Sequence, residues 1–547
     1  MRSLVRTAGD TPHFAVALGG VLDNPRPVWT PDLNRYMPAT TRTRWPSGFT
    51  QTYATGLNYQ SSLLFFGTAD YPMQDFLIPF VGFGLTEGGL APQETVNPNA
   101  PMLLDEVFFI MPDGVTKVPI LFSGAAAVSV TQATGVVHGL VSTPTPVPAR
   151  SIIGVETTYH GTVGQTYIGG YRVQKHRGER YWAAADLASI RALRDARGAS
   201  TADRDTFYNT VGNVSNSQPL AYGPALILAK GWDGRPVPLV VNDSLLERQG
   251  IAADADARGN VGTWRKWFDI ADPVWGSTIP LVMGVPGSKS AQELATSSTL
   301  RWNMIDSIAT TFNGGKPIWT FVLDQSGRND SNATASTWAN AKFGLVDRIK
   351  TRYGAGIHVV GMTLWPTVKS TTAARTVAAW SIDVLWDGVT GTLKTVNDLI
   401  LASSRYAKTM DVYPAYVING GPYPPAAEQL PLGNLVGHPG LQDGTTVWTT
   451  LVAVSGIPQG TLVTFEYQPG TWATRTLTNE APIGNGTSTY TVIEQFATNV
   501  QDNATVYGKT LNLDSGSGTT THVHPLPALI NWIIARIPQS MKATFYP

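Results

Sequence analysis

Short apolar runs and helical spacings alternate from about residue 225 onward. Residues 236–241 (Pro-Val-Pro-Leu-Val-Val) end in Asn-Asp-Ser, 279–283 run into Gly-Val-Pro-Gly, 317–323 end near Gly-Arg-Asn-Asp, and 358–364 end in Trp-Pro. Unbroken runs of this kind, bounded by turn residues, are the pattern of strands buried on both faces of a parallel sheet. Between them, 302–312, 336–353 and 396–406 repeat apolar residues at helical steps, with Ala341, Leu345 and Ile349 on one face. Strand alternating with helix predicts a parallel sheet covered on both sides, with its ligand site beyond the carboxyl ends of the strands.

Elsewhere the period is two. Residues 1–220 carry short alternating segments, such as 107–110 and 117–122, between Gly, Pro and Thr, and predict a β-rich N-terminal region. The Pro-rich stretch 142–148 reads as an extended linker between two β subdomains. Residues 181–197, with Leu187, Ile190 and Leu193 on one face, read as a helix leading toward the next domain. The α/β alternation fills 225–425. Residues 435–514 return to β period, with strands expected at 447–454, 461–467, 490–496 and 505–513, and read as a β-sandwich inserted into the α/β domain. The segment 515–547, with Leu529, Ile533 and Ile537 on one helical face, would complete that domain. The expected fold class is multidomain α/β plus all-β.

Composition narrows the chemistry. The 547 residues are enough for about two to four domains. Lys plus Arg and Asp plus Glu are 39 each, so the electrostatic footprint of a nucleic-acid or anionic-membrane binder is missing. Charged residues make up only 14%, which leaves Thr, Ser, Asn, Gln and Gly to build the surface. Without cysteine, disulfides, thiolate metal sites and cysteine nucleophiles are excluded. No run reaches the roughly 18–20 apolar residues of a membrane span. The apolar stretch 14–22 follows Arg2 and Arg6, but Asp10, Pro12 and His13 interrupt the approach and no small-residue cleavage site follows, so no signal peptide is read. A protein working outside a cell would then leave by another route, such as assembly into a particle released on lysis.

Ser244 directly follows the first apolar run and stands where a helix should begin. A serine there is exposed at the sheet edge, with first-turn N–H groups facing any anion that forms beside it. The plainer reading is an N-cap or an Asx turn, and residues 329–331 repeat the same Asn-Asp-Ser triplet. An ordered set distinguishes the first copy. Gly287 lies after the second run, where a bare backbone N–H can donate to an oxyanion, and the Asn329 carboxamide after the third can donate to the same point. His524, followed by Pro525, precedes the last helix. Serine attack on an ester needs a base and preorganised donors where negative charge develops, and each part falls on a different strand-end loop.

Together, Asn242-Asp-Ser-Leu, Gly284-Val-Pro-Gly287, Gly327-Arg-Asn-Asp330 and His524-Pro525 resemble the ordered motifs of the SGNH (GDSL-type) hydrolase superfamily, over roughly 230–415 and 515–540. The resemblance implies a flavodoxin-like α/β/α sandwich that hydrolyses carboxylic esters, often acetyl esters on carbohydrate. By that resemblance Ser244 is the nucleophile, His524 the general base, and the Ser244 N–H, the Gly287 N–H and the Asn329 side chain form the oxyanion hole. Two positions depart from the family. Asn242 replaces the usual Gly, a change expected to be tolerated because Asn accepts positive φ. Thr521 stands three residues before the histidine, where the family has Asp. Three consequences stay open: a Ser–His dyad oriented by a backbone carbonyl, Asp514 reaching in from the preceding strand, or a degenerate domain that only binds.

His522 and His524 have the spacing of half a zinc site, but no HExxH and no third ligand accompany them, so no metal and no other cofactor is expected. Of Trp264, Trp267, Trp275 and Trp365, one or two are expected to line a groove, since aromatic faces stack on sugar rings. Flanks rich in Thr, Gly and Pro look like those of a bacteriophage tail spike or another virion protein. The expected activity is removal of acyl, in particular acetyl, groups from a surface polysaccharide. Expected partners are that carbohydrate and other virion proteins, with no nucleic acid and no membrane insertion, in a virion or extracellular setting. The sequence leaves open whether three chains associate as a homotrimer. The rival reading is a non-enzymatic virion adhesin or structural protein whose SGNH-like domain has kept its shape and lost its chemistry.

Overall fold

The computed structural model describes residues 29–46, 51–86, 92–96, 101–131, 135–173, 178–196, 220–243, 256–295, 298–366, 384–417 and 533–545. It also describes the backbones of short strands at 368–370, 380–381, 431–434, 447–449, 462–468, 471–483, 487–492, 505–508 and 521–522. Among the described residues, no helix is long and apolar enough to cross a membrane.

Among the described residues, the first part of the chain builds two main antiparallel sheets, with three two-stranded pairs beside them. One has five strands, in the order Met37–Pro38, Leu228–Lys230, Gln74–Val81, Val136–Val141, Leu121–Phe122. The other runs Val128–Val130, Met102–Ile110, Ile152–His160, Tyr59–Gly67, Arg180–Ala184, with Lys117–Pro119 added alongside Met102–Ile110. Phe76 of the first sheet meets Phe109 of the second with ring centroids 4.6 Å apart, and both belong to one apolar core. The stretch expected as a linker is therefore a crossover between two sheets of one unit. Within it Val147 is fully buried and exchanges backbone hydrogen bonds with Met73 at 2.7 and 3.0 Å. The expected helix at 181–197 also divides. Arg180–Ala184 forms an edge strand beside Tyr59–Leu63, and only Leu187–Ala196 is helical. Trp182 explains the division: it is buried with Leu63, Ile110 and Ile190, which turns the helix back onto its own sheet instead of toward the next unit.

Next comes a parallel sheet. Its strands, numbered within the sheet, are β1 (Pro238–Val241), β2 (Leu281–Val282), β3 (Phe321–Asp324), β4 (Val359–Met362) and β5 (Lys408–Met410). They pair in the order β2-β1-β3-β4-β5, each neighbour parallel. Alternate residues feed opposite layers. Leu239, Val241, Val322 and Val359 join the core shared with the N-terminal sheets, while Val240, Leu323, Val360 and Met362 join a second core on the other face. On the first side lie α2 (Leu300–Phe312), α3 (Ala335–Tyr353) and α4 (Thr392–Ala402), which bury Trp302, Trp338 and Val396 among others. The second side is covered by α1 (Thr263–Phe268) and residues 533–545, through Trp264, Trp267, Ile533, Ile537 and Phe545. Phe545 stacks on Phe321 at 4.6 Å, and the Trp267 indole donates to the Ile537 carbonyl at 3.0 Å.

The strands beyond the parallel sheet form one six-stranded antiparallel sheet, ordered Pro431–Asn434, Thr505–Gly508, Leu462–Gln468, Thr471–Ile483, Thr487–Val492, Val447–Thr449. Thr521–His522 then pairs antiparallel with Val368–Lys369, just past the carboxyl end of β4. The chain is thus mixed α/β, combining a parallel sheet with antiparallel β-rich regions.

Candidate functional site

The strand order reverses between β1 and β3, so the loops leaving them part to opposite sides of the sheet and open a crevice at its carboxyl edge. Three loops converge there. Asn242 and Asp243 follow β1, residues 283–290 follow β2, and residues 325–330 follow β3 and end in a 3₁₀ turn, Arg328–Asp330. The Asn329 side chain joins all three. Its amide donates to the Ser288 carbonyl at 2.9 Å and lies 3.4 Å from an Asp243 carboxylate oxygen. Gly287, the neighbour of Ser288, has φ 76, a left-handed conformation that a residue bearing Cβ adopts only at a cost. Gly287 and Asn329 are half-buried, whereas Asn242 and Asp243 are buried.

Asn242 does not have positive φ, so the reason expected for its replacing Gly does not apply. What fits it is the other side of the crevice. A Cβ on Gly284 would come within 2.4 Å of Asn242 Oδ1, so the small residue after β2 makes room for the larger one after β1.

Beneath the loops lies a buried charged set. The Lys342 ammonium, on α3, donates to the carbonyls of Asp324 and Ser326 at 3.0 and 2.9 Å and pairs with the Asp324 carboxylate at 3.0 Å. Asp324 also accepts from the Ser326 hydroxyl at 2.6 Å, the Ser326 N–H at 3.0 Å and the Tyr406 hydroxyl at 2.7 Å. Burial pulls the Lys342 ammonium below its usual pKa, with Asp324 opposing. Ser290 links the second and third loops, its hydroxyl donating to Ser326 at 3.0 Å and its N–H to Asp330 at 2.7 Å. Through these contacts the turn that presents Asn329 is held by a rigid polar floor.

Arg328, also buried, donates to the Trp365 carbonyl at 2.6 Å and lies 3.9 Å over the Trp386 ring. Burial lowers its pKa to about 9, and the Asp243 carboxylate acts in the opposite sense. Positive charge from Arg328 and Lys342 thus reaches the buried Asp243 carboxylate.

The structure brings Gly287 and Asn329 to one crevice. Ser244, Asp514 and His524 lie outside the described residues. Thr521 and His522 are described only as a strand beside the loop after β4. Trp264 and Trp267, considered as groove-lining residues, are core side chains at 1% and 0% exposure, their indoles donating to the Gln325 side chain and the Ile537 carbonyl. Trp365 is buried against Tyr416 and Trp275 is half-buried. Sequence reasoning passed over Asp324, Lys342 and Tyr406. A charged residue ending an otherwise apolar strand, as Asp324 does, was the signal available. Among the described residues, no group of three or more His, Asp or Glu side chains has the arrangement of a metal site.

No protein-family model matches the chain, and no curated protein matches it. Among solved structures, the crystal structure of the Bacillus subtilis protein YxiM is similar over 64% of this chain and 68% of its own, at 11% identity and a TM-score of 0.23. A likeness at that score carries no argument about fold or activity.

Proposed function

We propose that the chain is a serine esterase of SGNH type that removes acyl groups, in particular acetyl groups, from a carbohydrate, with a bacterial surface polysaccharide as the substrate class. What supports this reading is the convergence of three strand-end loops on the Asn329 amide, at the point where the strand order 2-1-3-4-5 reverses. That order is the flavodoxin-like one, and its reversal is where such sheets bind ligands. Ser244 is the next residue after Asp243, whose carboxylate lies 3.4 Å from Asn329 Nδ2.

In this reading Ser244 attacks the acyl carbonyl and His524 takes its proton. The carbonyl oxygen, now an anion, is met by the N–H groups of Ser244 and Gly287 and by the Asn329 amide. The alcohol of the sugar leaves with a proton from His524, and water, deprotonated by the same imidazole, releases the acid. Asn329 already spends one amide proton on Ser288, while its contact to Asp243 is long and weak. The second proton is the one available to the oxyanion, and each such donor contributes about 10²–10³ in rate.

Thr521 favours the second reading, a virion adhesin that has lost the chemistry, because the histidine then lacks the family's carboxylate. A chromogenic acetyl-ester assay on the wild type and Ser244→Ala separates the two. Turnover abolished by the substitution supports the esterase; no turnover on any ester or acetylated glycan supports the adhesin. In the same assay Asp514→Asn loses about 10³–10⁴ in rate if Asp514 orients His524, and nearly nothing in a dyad.

A further inference from the structure

Arg301, on α2, is buried without any exposed side-chain surface, as are Glu94 and Glu293 beside it. All three of its guanidinium nitrogens are used. Nε donates to Glu94 at 2.5 Å, Nη2 to Glu293 at 3.0 Å and Gln93 at 3.3 Å, and Nη1 to the Met283 carbonyl. Met283 and Glu293 stand at the two ends of the loop that carries Gly287 and Ser288. Arg348 fastens the far end again, donating to the Glu293 carbonyl at 2.9 Å. Glu94 belongs to the N-terminal unit, in a hairpin of Phe83–Leu85 and Glu94–Val96. Its carboxylate also accepts from the backbone N–H groups of Leu300 and Arg301 at 2.8 and 3.3 Å, where α2 begins. Near the same place the Trp45 indole donates to the Val282 carbonyl at 2.8 Å.

A guanidinium is a planar fork of fixed donor directions, so groups bonded to its several nitrogens are held at set positions relative to one another. Here one end of that arrangement is a carboxylate from the N-terminal sheets and the other is the frame of the Gly287 loop.

We infer that Glu94, acting through Arg301, is a positioning residue for the hydrolytic site: the N-terminal unit sets where the Gly287 N–H and the Ser288 carbonyl stand. The inference rests on the esterase reading above. It makes the N-terminal region part of the apparatus that orients the oxyanion donors, rather than an independent module joined to an enzyme. Displacement of such donors by about 1 Å costs on the order of 10²-fold in turnover.

The test uses the full chain and Glu94→Gln, with Glu156→Gln as the comparison. Glu156 is equally buried and paired with Lys117 and Arg194 at 3.1 and 3.3 Å, but on the six-stranded sheet away from the loop. On a chromogenic acetyl ester, Glu94→Gln lowers kcat about 10- to 100-fold with KM within about twofold. Hydrogen exchange of the amides in 283–293 quickens in the same variant. Glu156→Gln lowers the melting temperature yet leaves kcat and that exchange at wild-type values. Equal kcat in the two variants, or unchanged exchange of the loop in Glu94→Gln, overturns the inference. If Glu94→Gln does not fold, Gln93→Ala takes its place, with a smaller loss of kcat expected in the same direction and an unchanged kcat refuting. If the wild type hydrolyses no ester, the esterase reading fails. The loop-positioning claim is then decided by exchange alone: faster in Glu94→Gln than in Glu156→Gln upholds it, and no difference overturns it.

Discussion

Lys342 and Asp324 give the sharpest test of how the site is supported. Their side chains are 1% and 0% exposed, so neither charge has water to fall back on. Lys342→Met leaves a buried carboxylate without its counter-charge and two carbonyls, Asp324 and Ser326, without their donor. Asp324→Asn leaves a buried ammonium among carbonyls. Breaking a buried pair from one side costs about 3–5 kcal/mol, whereas removing both charges is far cheaper. The double variant keeps an acceptor for Ser326 and a partner for Tyr406 but still lacks the donor to the two carbonyls, so its expected cost is about 2–3 kcal/mol, that of two lost hydrogen bonds. The coupling between the two substitutions is then several kcal/mol. Calorimetry on the full chain reads it: at roughly 2 °C per kcal/mol for large domains, each single variant melts about 6–10 °C lower, and the double variant about 4–6 °C lower, far short of the sum of the two. Additive losses would refute the reasoning, as would a Lys342→Met variant melting within a degree of wild type.

Three further outcomes are expected. Gly284→Ala, whose new Cβ would meet Asn242 Oδ1 at 2.4 Å, destabilises by about 1–3 kcal/mol, and adding Asn242→Gly restores most of it; denaturant titration decides, and no recovery counts against the account of Asn242. Burial lowers the Lys542 ammonium from 10.5 to about 8, with Asp272 opposing. Since the folded value is the lower one, the cost of charging this buried group is fully present below pH 8 and is relieved as pH rises toward 10.5, by at most about 3 kcal/mol. The melting temperature of wild type relative to Lys542→Met should therefore rise between pH 7.5 and 9.5, and parallel curves would dispose of the idea. Gly287→Ala, forced to φ 76, loses about 1–2 kcal/mol of stability by urea unfolding, and an unchanged midpoint would show that the turn relaxes instead.

Much of the α/β layer was legible because strands buried on both faces are written as unbroken apolar runs: β1, β2 and β4 fall within the expected segments, and β3 runs one residue past its own, to Asp324. β5 was not: Lys408-Thr-Met410 is a short edge strand, and the apolar spacing before it continues past the true helix end at Ala402. Trp182 shows a second limit, since a Trp between Tyr and Ala fits a helix or a strand and only its burial against Leu63 and Ile190 decides. Trp264 and Trp267 suggested ligand contacts because aromatic faces stack on sugar rings, yet both are buried and their indoles find partners inside the core. Gly287 and Asn329 were singled out by their place after strands, and the loops that carry them meet at one crevice. Arg301 and Glu94 lie 207 positions apart, and no local period carries a pairing of that span. The same holds for Lys342, whose helical setting looks like a solvated face until the strand beneath it is known.

The excursion between the parallel sheet and the final segment has its ends clasped. Arg536 donates to the carbonyls of Pro414 and Val417 at 3.2 and 3.3 Å, although Arg536 and Val417 are 119 positions apart. The six-stranded sheet between them, from 431 to 508, can therefore lengthen, shorten or be exchanged with little strain on the parallel sheet, since doubling a closed loop adds only about 0.6 kcal/mol. The architecture works like a socket: one scaffold could carry a succession of different six-stranded cassettes while the parallel sheet underneath stays as it is.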